Sequence, residues 1–207
     1  MCMSACQDKI LVGITGGIGS GKSVVSRICR VKGFAVYDCD SRAKMLMHSS
    51  DEIKRELITL VGFEVICSDG TINKALLSNK IFSDSNIRNR VNKIVHESVR
   101  KDLLEWVNNQ NSACLFVESA ILHTSHLDEI VDAIWLVEAS TEMCVRRVID
   151  RNKVSRQEVE MRMKSQEKEF EALSQDKISK IFNDNEKSLM EQINLLLLNM
   201  SNQKINK

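Results

Sequence analysis

Gly16-Gly17-Ile18-Gly19-Ser20-Gly21-Lys22-Ser23 fits the pattern G-x-x-x-x-G-K-[ST]. It stands between an apolar run, Ile10 to Thr15, and a segment with helix signals from Lys22 to about Val31. The spacing has a physical reason. The four glycines let the backbone wrap closely around phosphate groups with its N–H groups pointing inward, and the helix beginning there adds the positive end of its dipole. Lys22 is then expected to reach the β- and γ-phosphates of ATP, and the Ser23 hydroxyl to ligate Mg²⁺. Gly17, Ile18, Gly19, Ser20, Gly21 and Val24 complete the predicted nucleotide contacts. The bland alternative, a glycine-rich turn before a chance lysine, is disfavoured because strand, loop, Lys and Ser are all in register. The motif alone does not separate a kinase from a GTPase, a motor or a non-catalytic switch.

Ile10 to Thr15 is nearly all apolar, as a strand buried on both faces of a parallel sheet should be. Further strands are predicted at Phe34 to Tyr37, ending in Asp38; at Cys114 to Val117, ending in Glu118; at Ala133 to Val137; and at Ile178 to Phe182. Between the second and third strands, Ile87, Val91, Ile94, Val95, Val99, Leu103 and Trp106 recur at helical spacing, an amphipathic helix of about five turns. Ser140 is a candidate N-cap for a helix reaching about Arg151. A second helical segment follows from Ser155 to about Phe170, and a C-terminal helix is expected to end near Leu198. Strands separated by helices in this order imply an open, mostly parallel α/β sheet flanked by helices, the fold of P-loop nucleotide-binding proteins.

The 207 residues, 43% of them hydrophobic, suffice for one compact domain. Lys and Arg number 29 against 28 Asp and Glu, so no overall basic field draws the chain to nucleic acid or an anionic membrane, and anion recognition must be local. The cysteines (Cys2, Cys6, Cys29, Cys39, Cys67, Cys114, Cys144) are odd in number and scattered, which reads as free thiols in a reducing cytosol. The N-terminus has neither signal-peptide nor spanning character, and a cytoplasmic location is expected. There is no proline, so turns fall to Gly, Asn, Asp and Ser.

Asp38 and Asp40 stand at the C-terminal edge of the sheet, where ligands bind in open α/β folds, and they point to the same side if the strand continues through them. Either could accept the proton of an attacking hydroxyl. Equally, Asp40 could be the N-cap of a helix starting at Ser41, with Asp38 a loop residue.

The run Gly13 to Ser23 resembles the start of dephospho-CoA kinases, and Val36-Tyr37-Asp38-Cys39-Asp40 is similar to their V-I-D-A-D segment. Similarity continues through Ser68 to Lys74, Ile81-Phe82, Ile94-Val95-His96 and Arg147 to Arg151, touching nearly all of residues 10 to 185. The resemblance implies transfer of the ATP γ-phosphoryl to the 3′-hydroxyl of dephospho-CoA, with Mg²⁺ bridging the phosphates. It implies Asp40 as the catalytic carboxylate beside that hydroxyl, Asp38 as a helper, and His96 as an acceptor-binding residue. It also implies that Arg147 and Arg151 are lid arginines, Arg147 catalytic and Arg151 on the nucleotide. The expected layout is a single domain over 1–207. Its core covers about 10–48 and 112–200, a helical acceptor-binding insertion about 50–110, and a lid about 152–172. Val24 replaces the family's usual Thr, and Glu97 the Pro after its His.

Arg147 and Arg151 lie one helical turn apart and so on one face. For Arg156, Arg162 and Lys164 a solvated charged face is the default. A kinase for another small alcohol or nucleoside monophosphate would share the loop and the fold. A GTP-binding switch is disfavoured, since Asn73-Lys74, Asn79-Lys80, Asn92-Lys93 and Asn152-Lys153 all lack the Asp of N-K-x-D.

Overall fold

A computed structural model of the chain describes residues 9–205, with side chains through residue 200. Cys2, Cys6 and the N-terminal stretch through Asp8 lie outside the described residues. Cys29, Cys39, Cys67, Cys114 and Cys144 are all free thiols. Burial pushes the Cys29 thiol up to about 12, as expected of a packing residue rather than a nucleophile.

Strand β1 (Ile10–Thr15) is buried at every position but its first. It earns this by lying between two parallel partners, β3 (Cys114–Glu118) and β4 (Ala133–Glu138). β5 (Ile178–Phe182) runs parallel to β4, and β2 (Ala35–Asp38) completes the order β2-β3-β1-β4-β5. β1 is thus the point from which the chain departs to one side for β2 and later to the other for β4. In open parallel sheets the crevice at the C-terminal end of such a strand is where ligands bind.

Val12 and Ile14 pack with Phe116, Trp135 and Val137 from the neighbouring strands. Val25 and Cys29 of α1 (Lys22–Val31) and Ile193 of α8 (Leu189–Ile205) close over the same cluster. Burial of each large apolar side chain in it contributes about 1.5–3 kcal/mol. α8 runs past Leu198, where the sequence suggested its end, because Asn199 to Lys204 contain neither glycine nor proline to stop it. Among the described residues no helix is long and apolar enough to cross a membrane.

The contacts divide the chain into two compact units. One holds the residues up to Tyr37 and those from Asn111 onward; the other spans Asp38–Gln110, starting ahead of residue 50 where the sequence opened the inserted region. The second unit is helical: α2 (Cys39–Ser49), α3 (Asp51–Val61), α4 (Lys74–Ser83) and α5 (Ser85–Asn108). Without proline, the starts of these helices are written by side-chain caps. Asp38, Ser50, Asn73 and Asp84 each accept a backbone N–H of the first turn. Ile53, Leu57, Val65, Ile72, Leu77 and Val91 form this unit's own core. Arg42 of α2 grips Asp102 of α5 through both Nε, at 2.7 Å, and Nη2, fixing the two helices in register.

Candidate active site

The loop after β1 owes its shape to glycine. Gly21 sits at φ +98° as the residue before α1, and a Cβ on it would fall 2.1 Å from Asn183 Nδ2. Gly19, at φ +80°, would place a Cβ 2.5 Å from the carbonyl oxygen of Cys144. Both the backbone sign and the close approach demand a residue without a side chain. Lys22 Nζ curls back onto its own loop, donating to Gly16 O at 2.6 Å and Gly17 O at 3.1 Å. Ser23 is exposed in the first turn of α1, and its hydroxyl makes no hydrogen bond among the described residues.

Arg147 lies on α6 (Thr141–Asn152), and its guanidinium reaches the loop. Nη1 donates to Gly19 O at 3.3 Å, and Nη2 to Asn183 O at 3.0 Å. Asn183 follows β5 directly. Its amide donates to Ser20 O at 2.8 Å, while its own backbone N–H goes to Glu138 O at 2.8 Å. Arg147 and Asn183 thus tie the loop, α6 and the end of β5 together. Arg151, on the same helix face by sequence, is exposed and among the described residues bonds only to Asn152 Oδ1, at 2.9 Å.

α7 (Arg156–Glu171) opens with a capping box, in which Ser155 and Glu158 satisfy each other's backbone N–H. Glu158 is therefore engaged with Ser155. Arg156 is held by Glu142 at 2.8 Å and Glu160 at 2.7 Å. Val159 is buried against Val145 and Val148 of α6, which docks α7 on that helix. Between the loop and the ends of β4 and β5 lies a cavity of about 480 Å³, lined by Ile18, Leu136, Met163, Phe170 and Phe182 and edged by Asp184.

Glu169, on α7, is a buried carboxylate. It accepts the backbone N–H of His123, that of Thr124 at 3.0 Å, and the Thr124 hydroxyl at 2.6 Å. The His123 ring bonds Asp128 at 2.8 Å, and that contact raises its pKa above the ordinary histidine value. Glu169→Ala should cost about 3 kcal/mol, since hydrogen bonds to a buried charge are worth about 1.5–3 kcal/mol each and the Thr124 hydroxyl can turn to water. In a domain of this size that lowers the melting temperature by about 6–12 °C in a thermal unfolding scan. A shift below about 2 °C would mean that the segment holds itself.

In the helical unit the structure separates the two aspartates. β2 stops at Asp38, and α2 begins at once at Cys39, so the strand does not continue to Asp40 and the alternation that would align both side chains is absent. The N-cap is Asp38, not Asp40: Oδ1 takes Ser41 N–H at 3.1 Å, and Oδ2 takes the Ser41 hydroxyl at 3.0 Å. Asp40 lies exposed in the first turn, and its carboxylate makes no hydrogen bond among the described residues. His96 is half-buried on α5.

Nothing in the sequence marks Asn183, Gln166, whose Oε1 accepts Ile18 N–H at 2.9 Å, or Glu169. Glu118 is a further residue it left aside. It ends β3 beside Ile14 of β1, and an acidic residue ending the strand next to the phosphate loop is a signal that could have found it.

A parallel sheet with this loop on its central strand, closed by Lys22 and an arginine from a later helix, defines a P-loop phosphotransferase. The family model for dephospho-CoA kinase matches residues 10–191. The chain belongs to the dephospho-CoA kinase family, and it is accordingly an ATP-dependent kinase. A dephospho-CoA kinase from Bacteroides fragilis is 39% identical over 187 residues, covering 89% of each chain. A crystal structure of a Thermus thermophilus protein matches with a TM-score of 0.74 at 29% identity, over 94% of this chain and 97% of that one. The dephospho-CoA kinase of Campylobacter jejuni matches with a TM-score of 0.63 at 19% identity, over 94% and 98%, a likeness of fold alone.

Proposed function

We propose that the chain transfers the γ-phosphoryl group of ATP to the 3′-hydroxyl of dephospho-CoA, giving coenzyme A and ADP, the last step of coenzyme A synthesis. Family membership supports the acceptor. The observation that carries the chemistry is the convergence of Lys22, Arg147 and Asn183 on the loop between Gly16 and Gly21.

In this reading the loop N–H groups up to Val24, other than that of Ile18, which Gln166 takes, hold the phosphates, and Lys22 leaves the carbonyls of Gly16 and Gly17 for the β- and γ-phosphates. Arg147 keeps the loop in shape from behind and lends positive charge to it, and Arg151 approaches the nucleotide from the next turn. The 3′-oxygen attacks phosphorus, and its proton passes to Asp40. The bond to the β-phosphate oxygen breaks, and ADP departs with the electron pair. Asp38 holds the helix that carries Asp40, and His96 binds the acceptor.

The free, exposed Ser23 hydroxyl fits a hard cation, and Glu118 is the carboxylate that would complete the site for Mg²⁺. When bound, the ion neutralises charge on the β- and γ-phosphate oxygens. The test is an ADP-release assay with dephospho-CoA as acceptor, run with and without excess chelator. ADP release should require both the acceptor and Mg²⁺. ADP release that ignored dephospho-CoA would remove the acceptor assignment, and release that survived chelation would remove the ion.

A further inference from the structure

The face of α7 that meets the phosphate loop is built from Met163, Gln166 and Phe170, spaced three and four residues apart and so stacked along one side of the helix. Met163, like Ile18, packs against the small cluster of Val145, Val148 and Val159. The Phe170 ring comes within 4.0 Å of where a Cβ on Gly17 would stand. Between them Gln166 Oε1 accepts the backbone N–H of Ile18 at 2.9 Å, a bond across 148 positions of sequence.

Ile18 lies in a part of the loop that belongs to no helix or strand, so its N–H has no partner built into regular structure. A backbone N–H without a partner is costly when water is excluded. Met163 and Phe170, both half-buried, flank it here with apolar surface. The group facing an N–H must be the side-chain oxygen, which fixes the amide's orientation. Among the described residues the Gln166 Nε2 makes no hydrogen bond, so the side chain's one protein tie is to the loop. The helix holding it cannot drift, because Glu169, three residues on, is locked to the backbone of His123 and Thr124.

We propose that Gln166 is a positioning residue of the phosphate loop: by accepting the Ile18 N–H from a helix anchored elsewhere, it keeps the loop in its nucleotide-binding shape before ATP arrives. ATP then binds without first ordering residues 17 to 19, and the saving appears as affinity. The proposal rests on the loop being the ATP cradle. Glu169 is the anchor, and Gln166 the contact.

Gln166→Leu removes the acceptor at similar size, and Gln166→Asn keeps the amide but is one methylene too short to reach. In the nucleotide-free protein, hydrogen exchange followed by NMR should show the Ile18 amide exchanging at least about tenfold faster in both variants, the worth of one hydrogen bond. The KM for ATP should rise about tenfold with kcat within about twofold and the KM for dephospho-CoA unchanged, a pattern that general destabilisation does not produce. Unchanged Ile18 exchange in both variants would overturn the proposal. So would faster exchange with an unchanged KM for ATP, or a parallel decline of all constants with melting temperature. The exchange measurement needs no nucleotide. Failure of the cradle assignment would instead show as wild-type protein that does not bind ATP while Ile18 stays protected.

Discussion

Lys22→Ala should leave a folded protein whose ATP affinity has fallen by about two to four powers of ten in calorimetry, with turnover lost in step. The size follows from two charge-assisted hydrogen bonds to phosphate at about 1.5–3 kcal/mol each. The charge serves the ligand rather than the core, but it is not idle in the free protein. Nζ holds the carbonyls of Gly16 and Gly17 at 2.6 and 3.1 Å, so the variant also unties the start of the loop. That loss is worth about 1–2 kcal/mol, or about 2–8 °C in melting temperature. The two readouts must therefore differ greatly in size. An ATP isotherm like that of the wild type would contradict the cradle. An unfolded variant would mean that the lysine is chiefly a structural tie.

The cradle was legible because everything that makes it is local. β1, the loop and α1 occupy one stretch from Ile10 to Val31, and strand period, glycine placement and the Lys-Ser ending reinforce one another over that span. The groups that hold the cradle in place are not local. Gln166 and Asn183 are 148 and 163 positions from the loop residues they bond, and each is an ordinary polar residue in its own neighbourhood. In a helix as charged as α7 nothing marks Gln166 or Glu169 as inward-facing, because that face is defined only by what it meets. Arg147 and Arg151 make the same point: one turn apart they look alike, and only the loop opposite Arg147 tells them apart.

The cap of α2 escapes the sequence for a different reason, since Asp40 is the one cap it offers and Asp38 reads there as a loop residue. Either Asp could cap, and the choice depends on where β2 stops. β2 ends at Asp38, and the helix starts without a linker, so the cap falls to the first aspartate and the second is left with an uncommitted carboxylate. That outcome sharpens the test of Asp40, since the bland role once open to it is occupied by its neighbour.

Asp40→Asn should lower turnover with dephospho-CoA by about two to four powers of ten, the usual worth of a general base, while ATP binding stays within about twofold. The substitution is nearly isosteric and removes the negative charge, and with it the ability to take a proton. Its effect on stability should be small, because Asp40 caps nothing; what is lost is the attraction of a carboxylate to the positive end of α2, about 0.3–1 kcal/mol, or about 1–4 °C. Asp38→Ala supplies the contrast. It deletes the acceptor of Ser41 N–H and the partner of the Ser41 hydroxyl, so it should cost about 1 kcal/mol or more of stability. A helix start that frays should lower turnover less than Asp40→Asn does, and should do so in proportion to the lost stability. Thermal unfolding and steady-state ADP release on both variants separate the two roles. If Asp40→Asn retained near-normal turnover while Asp38→Ala lost it without loss of stability, the proton acceptor would be Asp38 and the cap incidental.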